Sequence, residues 1–397
     1  MDAETVLFHV GRFGHPFFSE QLQGAPDGFR YLTPGSEPDA AATKRIALDS
    51  ARLHTARAAL ERVSVRALSK AGYVRRRRLR PPPDCALVHS AQQLLQPMVT
   101  PYVVDFECVE VFSLYQRVAL KRSRGRERLL AALSDDGCRM LLPWSHAAER
   151  GLRAALGGTA ARLLEEKTTT VLPGIRPRAE QPSRRDARAL RVLFVGTAFE
   201  SKGGVEAVRA VEQARATHDV TLDLVSDVPD RWRPEIERTG GIFIHDWPTP
   251  AARVKSLFAS SHLLLFPSHM DTLGFVMLEA MATGVPVLAT RHFAVPEIVE
   301  DDVSGLLLDG ENLLYGDDGL CRFDHTLPPP RPFREALASP SQAYVSRLAT
   351  ALARVAEEPG LHERLAAGAL SRVTAGPLSM DARRAALAGV YRRALAG

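Results

Sequence analysis

Residues 262–286, HLLLFPSHMDTLGFVMLEAMATGVP, constrain the fold of this chain more than any other stretch. The apolar run His262–Phe266 is long enough for a buried strand and stops at Pro267. A turn bearing Gly274 follows, and then an apolar segment that opens a helix. A buried strand that runs straight into a helix belongs in a parallel sheet, because a parallel neighbour is reached only through a crossover. Asp271 stands at the turn and Glu279 eight residues on, close to two helical turns of ~3.6 residues each. Two carboxylates in that position suit the hydroxyls of a sugar nucleotide, whose phosphates can rest on N–H groups at the helix N-terminus. Each acid also has a plainer reading, Asp271 as an N-cap and Glu279 as a solvated helix residue. Glu279, however, lies among Val276, Met277, Leu278, Ala280 and Met281, and a carboxylate in apolar surroundings requires a partner.

The same alternation runs through both halves. Strands are expected at Thr5–Val10, Phe29–Leu32, Ala86–His89, Tyr102–Phe106, Arg139–Leu142 and Thr168–Leu172, with a glycine-bearing loop, Gly11–Gly14, after the first. Helical spacing fills Asp39–Val74, Val111–Leu133 and His146–Leu156, the last capped by Ser145. Pro177–Ala189 is polar and non-periodic, as a linker should be. Beyond it, strands are expected at Arg191–Val195, Thr221–Val225, Ile242–His245, His262–Phe266, Pro286–Thr290 and Gly305–Leu308. Helices are expected at Gly204–Ala216, Pro250–Ser260, Val295–Glu300, and near Ala343–Glu358 and Met380–Ala396. Glu311–Gln342 reads as an irregular insertion. At 397 residues, two domains are the natural division.

The four cysteines are scattered and show no zinc-ligand spacing, which suits reduced thiols in a cytoplasmic protein. The N-terminus begins acidic and enters a strand at once, unlike a signal peptide, and no apolar run approaches the ~20 residues of a membrane span. Net charge is +5, with +8 in residues 1–180 and −3 in the rest. The excess gathers at Arg75–Arg78 with Arg80, and at Lys121, Arg122, Arg124, Arg126 and Arg128. These clusters form either a solvated face or a contact for an acidic acceptor or an anionic membrane surface. They are not interleaved with aromatics, which argues against nucleic acid.

A second chemical motif follows the strand RVLFV. In GTAFESKGG, Gly196 to Gly204, a glycine turn leads into a helix and exposes N–H groups at the sheet edge, and Lys202 adds a mobile positive charge suited to a diphosphate. Taken alone, these glycines are equally consistent with a simple turn.

From Pro267 the chain reads Pro-Ser, two residues, Asp271, Thr-Leu-Gly, Phe275, then Glu279 and Ala-Met-Ala-Thr-Gly-Val-Pro-Val. With Lys202-Gly203 upstream and Glu297-Ile298-Val299…Gly305-Leu306-Leu307 downstream, residues 191–310 resemble the nucleotide-sugar-binding domain of family-four retaining glycosyltransferases (glycosyl transferases group 1). The last helix is also similar. The resemblance implies an α/β GT-B fold: two facing Rossmann-like domains with a cleft between them and a C-terminal helix returning to the N-terminal domain. The implied divisions are 1–177 for the acceptor domain, 178–190 for the linker, 191–375 for the donor domain and 376–397 for the returning helix.

By the same resemblance Glu279 holds the ribose and Asp271 the donor sugar, while Lys202 and the N–H groups of Leu273, Gly274 and Phe275, beside Gly196 and Gly203, stabilise the departing diphosphate. No metal and no cofactor are expected. The expected donor is a UDP- or GDP-sugar, and the expected acceptor is a glycan or a lipid-linked acceptor in bacterial glycan or glycolipid synthesis; a cytoplasmic location is expected, with the basic first half as the candidate for peripheral contact with the inner membrane face. Asp271 replaces the family's usual Glu. Thr197 stands where many members have Arg, and Arg291 is a candidate replacement. The histidine often found after the fourth N-domain strand has no clear match. Glu107 follows that strand here and is the candidate active-site residue of the first half, with His89 either a second candidate or a structural histidine. The alternatives are a catalytically silent sugar-nucleotide-binding protein and a GT-B-type epimerase or phosphorylase.

Overall fold

The structure is a computed structural model that describes residues 3–10, 16–32, 67–185, 189–310, 314–324 and 331–397. The chain forms two compact units. The first is Met1–Gly174 with Tyr315–Pro328 and Asp381–Gly397, and the second is Ile175–Leu314 with Pro329–Met380.

In the first unit five parallel strands, β1 (Glu4–His9), β2 (Phe29–Leu32), β3 (Leu87–Ala91), β4 (Tyr102–Phe106) and β5 (Cys138–Pro143), lie in the order β2-β1-β3-β4-β5. Strands β3 and β4 are buried along their whole length, as expected of parallel strands covered on both faces. The core joins Val6, Leu87, Val103 and Leu142 of the sheet to Leu387, Val390 and Tyr391 of the C-terminal helix Met380–Ala396. Polar groups reinforce this packing. The Tyr391 hydroxyl lies 2.6 Å from His89 Nδ1 and 3.1 Å from the Tyr31 hydroxyl. His89 Nε2 is 3.1 Å from Asp105 Oδ2, and Arg383 Nη2 is 3.7 Å from the same oxygen. Arg383 Nη1 also donates to the carbonyls of Val171 and Leu172. His89 is fully buried in this network, which makes it a structural histidine.

The second unit has six parallel strands: β6 (Leu190–Val195), β7 (Val220–Ser226), β8 (Ile242–Asp246), β9 (Leu263–Phe266), β10 (Val287–Thr290) and β11 (Gly305–Leu308). Their order, β8-β7-β6-β9-β10-β11, is the doubly wound order of dinucleotide-binding sheets, and the order reverses between β6 and β9. Helices Gly204–Arg215 and Gln342–Glu357 cover one apolar face, with Val208, Val211, Leu348 and Leu352 in the shared core. Gly196 and Lys202 follow β6 and Asp271 follows β9, so all three sit at the carboxyl edge on either side of the reversal.

Four expectations change. Thr168–Leu172 is extended along β5, with Thr169 and Val171 donating to Leu141 and Pro143, but it is bridged only at Thr168 and forms no full strand. Val111–Leu133 is three short helical pieces, Val109–Ser113, Arg117–Lys121 and Ser123–Leu133, because Leu114 and Tyr115 adopt left-handed conformations that break the first turn. Within 311–342, Arg331–Ala338 is a helix. A further helix, Leu361–Thr374, precedes the last one and starts after Gly360. The Gly11–Gly14 loop and most of Asp39–Val74 lie outside the described residues.

Replacing Arg383 with Met leaves Asp105 buried with one partner fewer. This change should lower the unfolding free energy by about 3 kcal/mol, the usual cost of breaking a buried ion pair, as read from a urea melt.

Candidate functional site

Two loops meet at the carboxyl edge of the second sheet, and their meeting requires glycine. Gly203 has φ +80°, and a Cβ there would lie 2.1 Å from the Pro267 carbonyl oxygen. No other residue admits that approach, so the Lys202 loop and the Ser268–Gly274 loop pack backbone to backbone. His269 N–H donates to Ser201 O at 3.0 Å, and His269 Nε2 lies 2.5 Å from Glu206 Oε1 in the first turn of the next helix. Both side chains are nearly inaccessible, so the pair locks one loop onto the helix that carries the other.

Lys202 reaches across this junction. Its Nζ donates to Asp271 Oδ2 at 2.6 Å and to the Met270 carbonyl at 2.9 Å, while Ser268 Oγ donates to the same Asp271 oxygen at 3.3 Å. Beside them the helix Phe275–Ala282 starts at Gly274, whose φ of +72° places it in the left-handed region. No side chain caps this helix end. Leu273 is buried beneath the turn, and Gly196 lies against the Lys202 stem, where a Cβ would approach it to 3.1 Å.

Glu279 is not buried. Met277, Leu278 and Met281 face the core, and the helical period leaves Phe275, Val276 and Glu279 at the rim. Its side chain is 36% exposed, and Arg178 Nη1 lies 3.7 Å from Oε1. Arg178 is held there by its backbone, since its N–H and that of Ala179 both donate to the Ala282 carbonyl. Arg291, the expected replacement for the arginine that Thr197 lacks, is occupied elsewhere: its guanidinium binds Asp301 at 2.6 Å and Asp309 at 3.1 Å.

His292 adds a group that sequence reasoning missed. Its Nδ1 lies 3.2 Å from the Thr290 carbonyl and therefore carries the proton. Its Nε2 is buried without a hydrogen-bond partner. Burial pushes its pKa down to about 4, a fall that Asp271 partly opposes and that His269 and Lys202 reinforce. Arg178 and the Glu206–His269 pair were missed as well. Arg178 carried no local signal, because it stands about a hundred residues upstream of its partner. Glu206 did carry one: an acid among Val205, Ala207 and Val208 on a buried helix face.

The structure thus brings together Gly196, Lys202, Gly203, Asp271, Leu273, Gly274 and Phe275, with Glu279 further along the same helix. Glu107 belongs to the first unit, where it accepts a hydrogen bond from the Tyr115 hydroxyl.

Comparisons with known proteins bear on the same residues. Residues 189–314 match the family model described as Glycosyl transferases group 1. A D-inositol 3-phosphate glycosyltransferase of Acidothermus cellulolyticus is 32% identical over 160 residues, covering 37% of this chain and 36% of that protein. A putative colanic acid biosynthesis glycosyltransferase of Escherichia coli is 28% identical over 139 residues, covering 32% and 34%. The chain therefore spans about a third of the length of these relatives. Two solved structures align along nearly the whole chain. Sucrose-phosphate synthase from Thermosynechococcus elongatus gives a TM-score of 0.58 at 15% identity, covering 99% of each chain. Anabaena HepE in complex with UDP and glucose gives 0.57 at 14%, covering 98% of this chain and 99% of that one.

His292 fixes a pH dependence. An unfolded histidine near 6.5 takes up a proton that the folded site refuses until about pH 4, so stability present above pH 6.5 is lost as the pH falls toward 4. The loss amounts to about 3 kcal/mol. Urea melts at pH 7 and pH 4.5 should show it, and the His292→Gln variant should lack that component. Gly203→Ala should cost about 2 kcal/mol or more from backbone strain and the clash with Pro267.

Proposed function

We propose that this chain, of GT-B fold and with a group 1 glycosyltransferase domain at residues 189–314, transfers a sugar from a UDP- or GDP-sugar to a hydroxyl of a glycan or lipid-linked acceptor, with retention of configuration. The observation that carries the reading is the Lys202–Asp271 pair beside an uncapped helix start at the point where the strand order reverses. Ligands of doubly wound sheets bind at that point.

Electrostatics indicate how the pair responds to a donor. At 2.6 Å a unit pair gains about 6 kcal/mol of gross Coulomb energy at an effective dielectric of 20, most of it offset by desolvation. A diphosphate offers about twice the charge of one carboxylate, so Lys202 transfers to it when the donor enters. Asp271 is then released to accept hydroxyls of the donor sugar. As the glycosidic bond breaks, negative charge grows on the leaving diphosphate, and Lys202 with the N–H groups of Leu273, Gly274 and Phe275 stabilises it. Glu279 accepts the ribose hydroxyls and is exposed enough for a ligand to reach. Arg178, 3.7 Å away, orients that carboxylate. In this reading the charge neutralisation falls to Lys202 and the helix end, so no metal is required. The acceptor binds the first unit, and the basic clusters there serve peripheral contact with an anionic inner membrane face. No helix among the described residues is long and apolar enough to cross a membrane.

Incubation with a panel of sugar nucleotides, with and without acceptor glycans, should release a nucleoside diphosphate, and EDTA should leave the rate unchanged. Lys202→Met should reduce turnover about 10²-fold or more, the range for losing one donor to a developing charge. Glu279→Ala should weaken donor binding by about 1–2 kcal/mol. Binding of a donor without turnover on any acceptor would identify a silent binding protein instead. Sedimentation with anionic vesicles at low salt should carry the protein down, and its absence from the pellet would remove the membrane contact.

A further inference from the structure

Strands β9 and β10 run side by side, with Phe266 opposite Ala289, so the loops that leave them emerge together at the carboxyl edge. Asp271 lies on the first loop and His292 on the second. The second loop is tied at both ends. Arg291 N–H donates to Leu308 O at 2.8 Å, Val295 N–H donates to His292 O at 2.9 Å, and Phe293 makes the bend between them at φ +42°. The Arg291 side chain is exposed and paired with Asp301 and Asp309, whereas His292 is 4% exposed. Nδ1 of His292 is committed to the Thr290 carbonyl, so Nε2, buried without a hydrogen-bond partner, is the nitrogen free to change its protonation.

The charges around the ring are opposed. Asp271 favours its protonation, while His269 and Lys202 disfavour it. His269 is already bonded to Glu206. Tyr344, bonded to Thr290, is kept protonated by burial and brings no charge. The electrostatic balance at His292 therefore turns on the Lys202–Asp271 pair. With the ammonium 2.6 Å from the carboxylate the two charges largely cancel, desolvation dominates, and the ring stays neutral down to about pH 4. Withdrawal of the ammonium leaves Asp271 with the Ser268 hydroxyl and no cation. The Asp271 side chain is only 15% exposed, and a carboxylate so enclosed calls for a compensating charge. A histidine is the side chain that can acquire one near neutral pH.

We propose that His292 is a positioning residue that takes over from Lys202: when a diphosphate draws the ammonium away from Asp271, Nε2 takes up one proton from solvent, and the imidazolium balances the Asp271 charge and orients that carboxylate. The part played by the diphosphate rests on the glycosyltransferase reading above. The coupling of His292 to Lys202 does not. Because a proton is taken up on binding, donor affinity rises as the pH falls toward the pKa of the free site, about 4.

Ring-nitrogen NMR of the histidine-labelled full chain tests the coupling with no donor present. The resonance missing from His292→Gln identifies the residue. In Lys202→Met its pKa should rise from about 4 by about one unit or more, since the opposing cation is gone. Methionine keeps the stem that lies against Gly196, so the loop keeps its packing. An unchanged pKa in Lys202→Met would overturn the proposal. Calorimetric titration with intact UDP- and GDP-sugars, which do not themselves titrate near neutral pH, tests the ligand step. In buffers of differing ionisation enthalpy, binding at pH 5.5 should take up protons, and affinity should rise about threefold or more between pH 7.5 and pH 5.5. His292→Gln should bind the same donor with neither effect. Binding by the wild type without proton uptake, or equal uptake in His292→Gln, would also overturn the proposal. If no sugar nucleotide binds at any pH, the glycosyltransferase reading fails, and the Lys202→Met titration still decides whether His292 answers to Lys202.

Discussion

Backbone contact between Gly203 and Pro267 is the constraint on which the second unit's site depends. It joins the loop after β6 to the loop after β9, the two strands between which the sheet order reverses. The contact leaves room for no Cβ, and it sets Lys202 against Asp271. Beneath it the Glu206–His269 pair fixes the loops to the helix that follows. A cation, a carboxylate and a helix start are therefore preorganised before any ligand arrives, and preorganisation is what makes such groups effective against developing charge.

In the first unit the supporting element is a buried polar network, with Tyr391, Arg383, His89 and Asp105 joining the last helix to the sheet. Asp105 also bonds the Gln92 turn, so the residues that anchor the C-terminal helix shape the edge where Gln92 and Glu107 lie. Buried ion pairs add little net stability, and the use of this one lies in fixing geometry.

Much of the fold could be read from the chain because parallel strands are continuous apolar runs, and all eleven strands of the two main sheets fall within two residues of the expected limits at each end. The misses have physical causes. Leu114 and Tyr115 break a helical stretch through a conformation their side chains do not announce. Leu361–Thr374 was overlooked because its burial depends on tertiary packing. Motif residues Lys202, Asp271 and Gly274 could be placed near one another because each stands at the end of a strand or the start of a helix. The exposure of Glu279 was misjudged because composition around a helical residue does not say which face it occupies. Arg178 and His292 reach the site through tertiary contacts alone, which no local pattern encodes.

The most direct test of the central claim is calorimetric titration of the protein with UDP- and GDP-sugars, comparing wild type with Lys202→Met. The account predicts that one donor binds the wild type and that removing the ammonium weakens it at least tenfold. Equal affinity in both proteins would contradict it, because Lys202 would then have no part in holding the diphosphate.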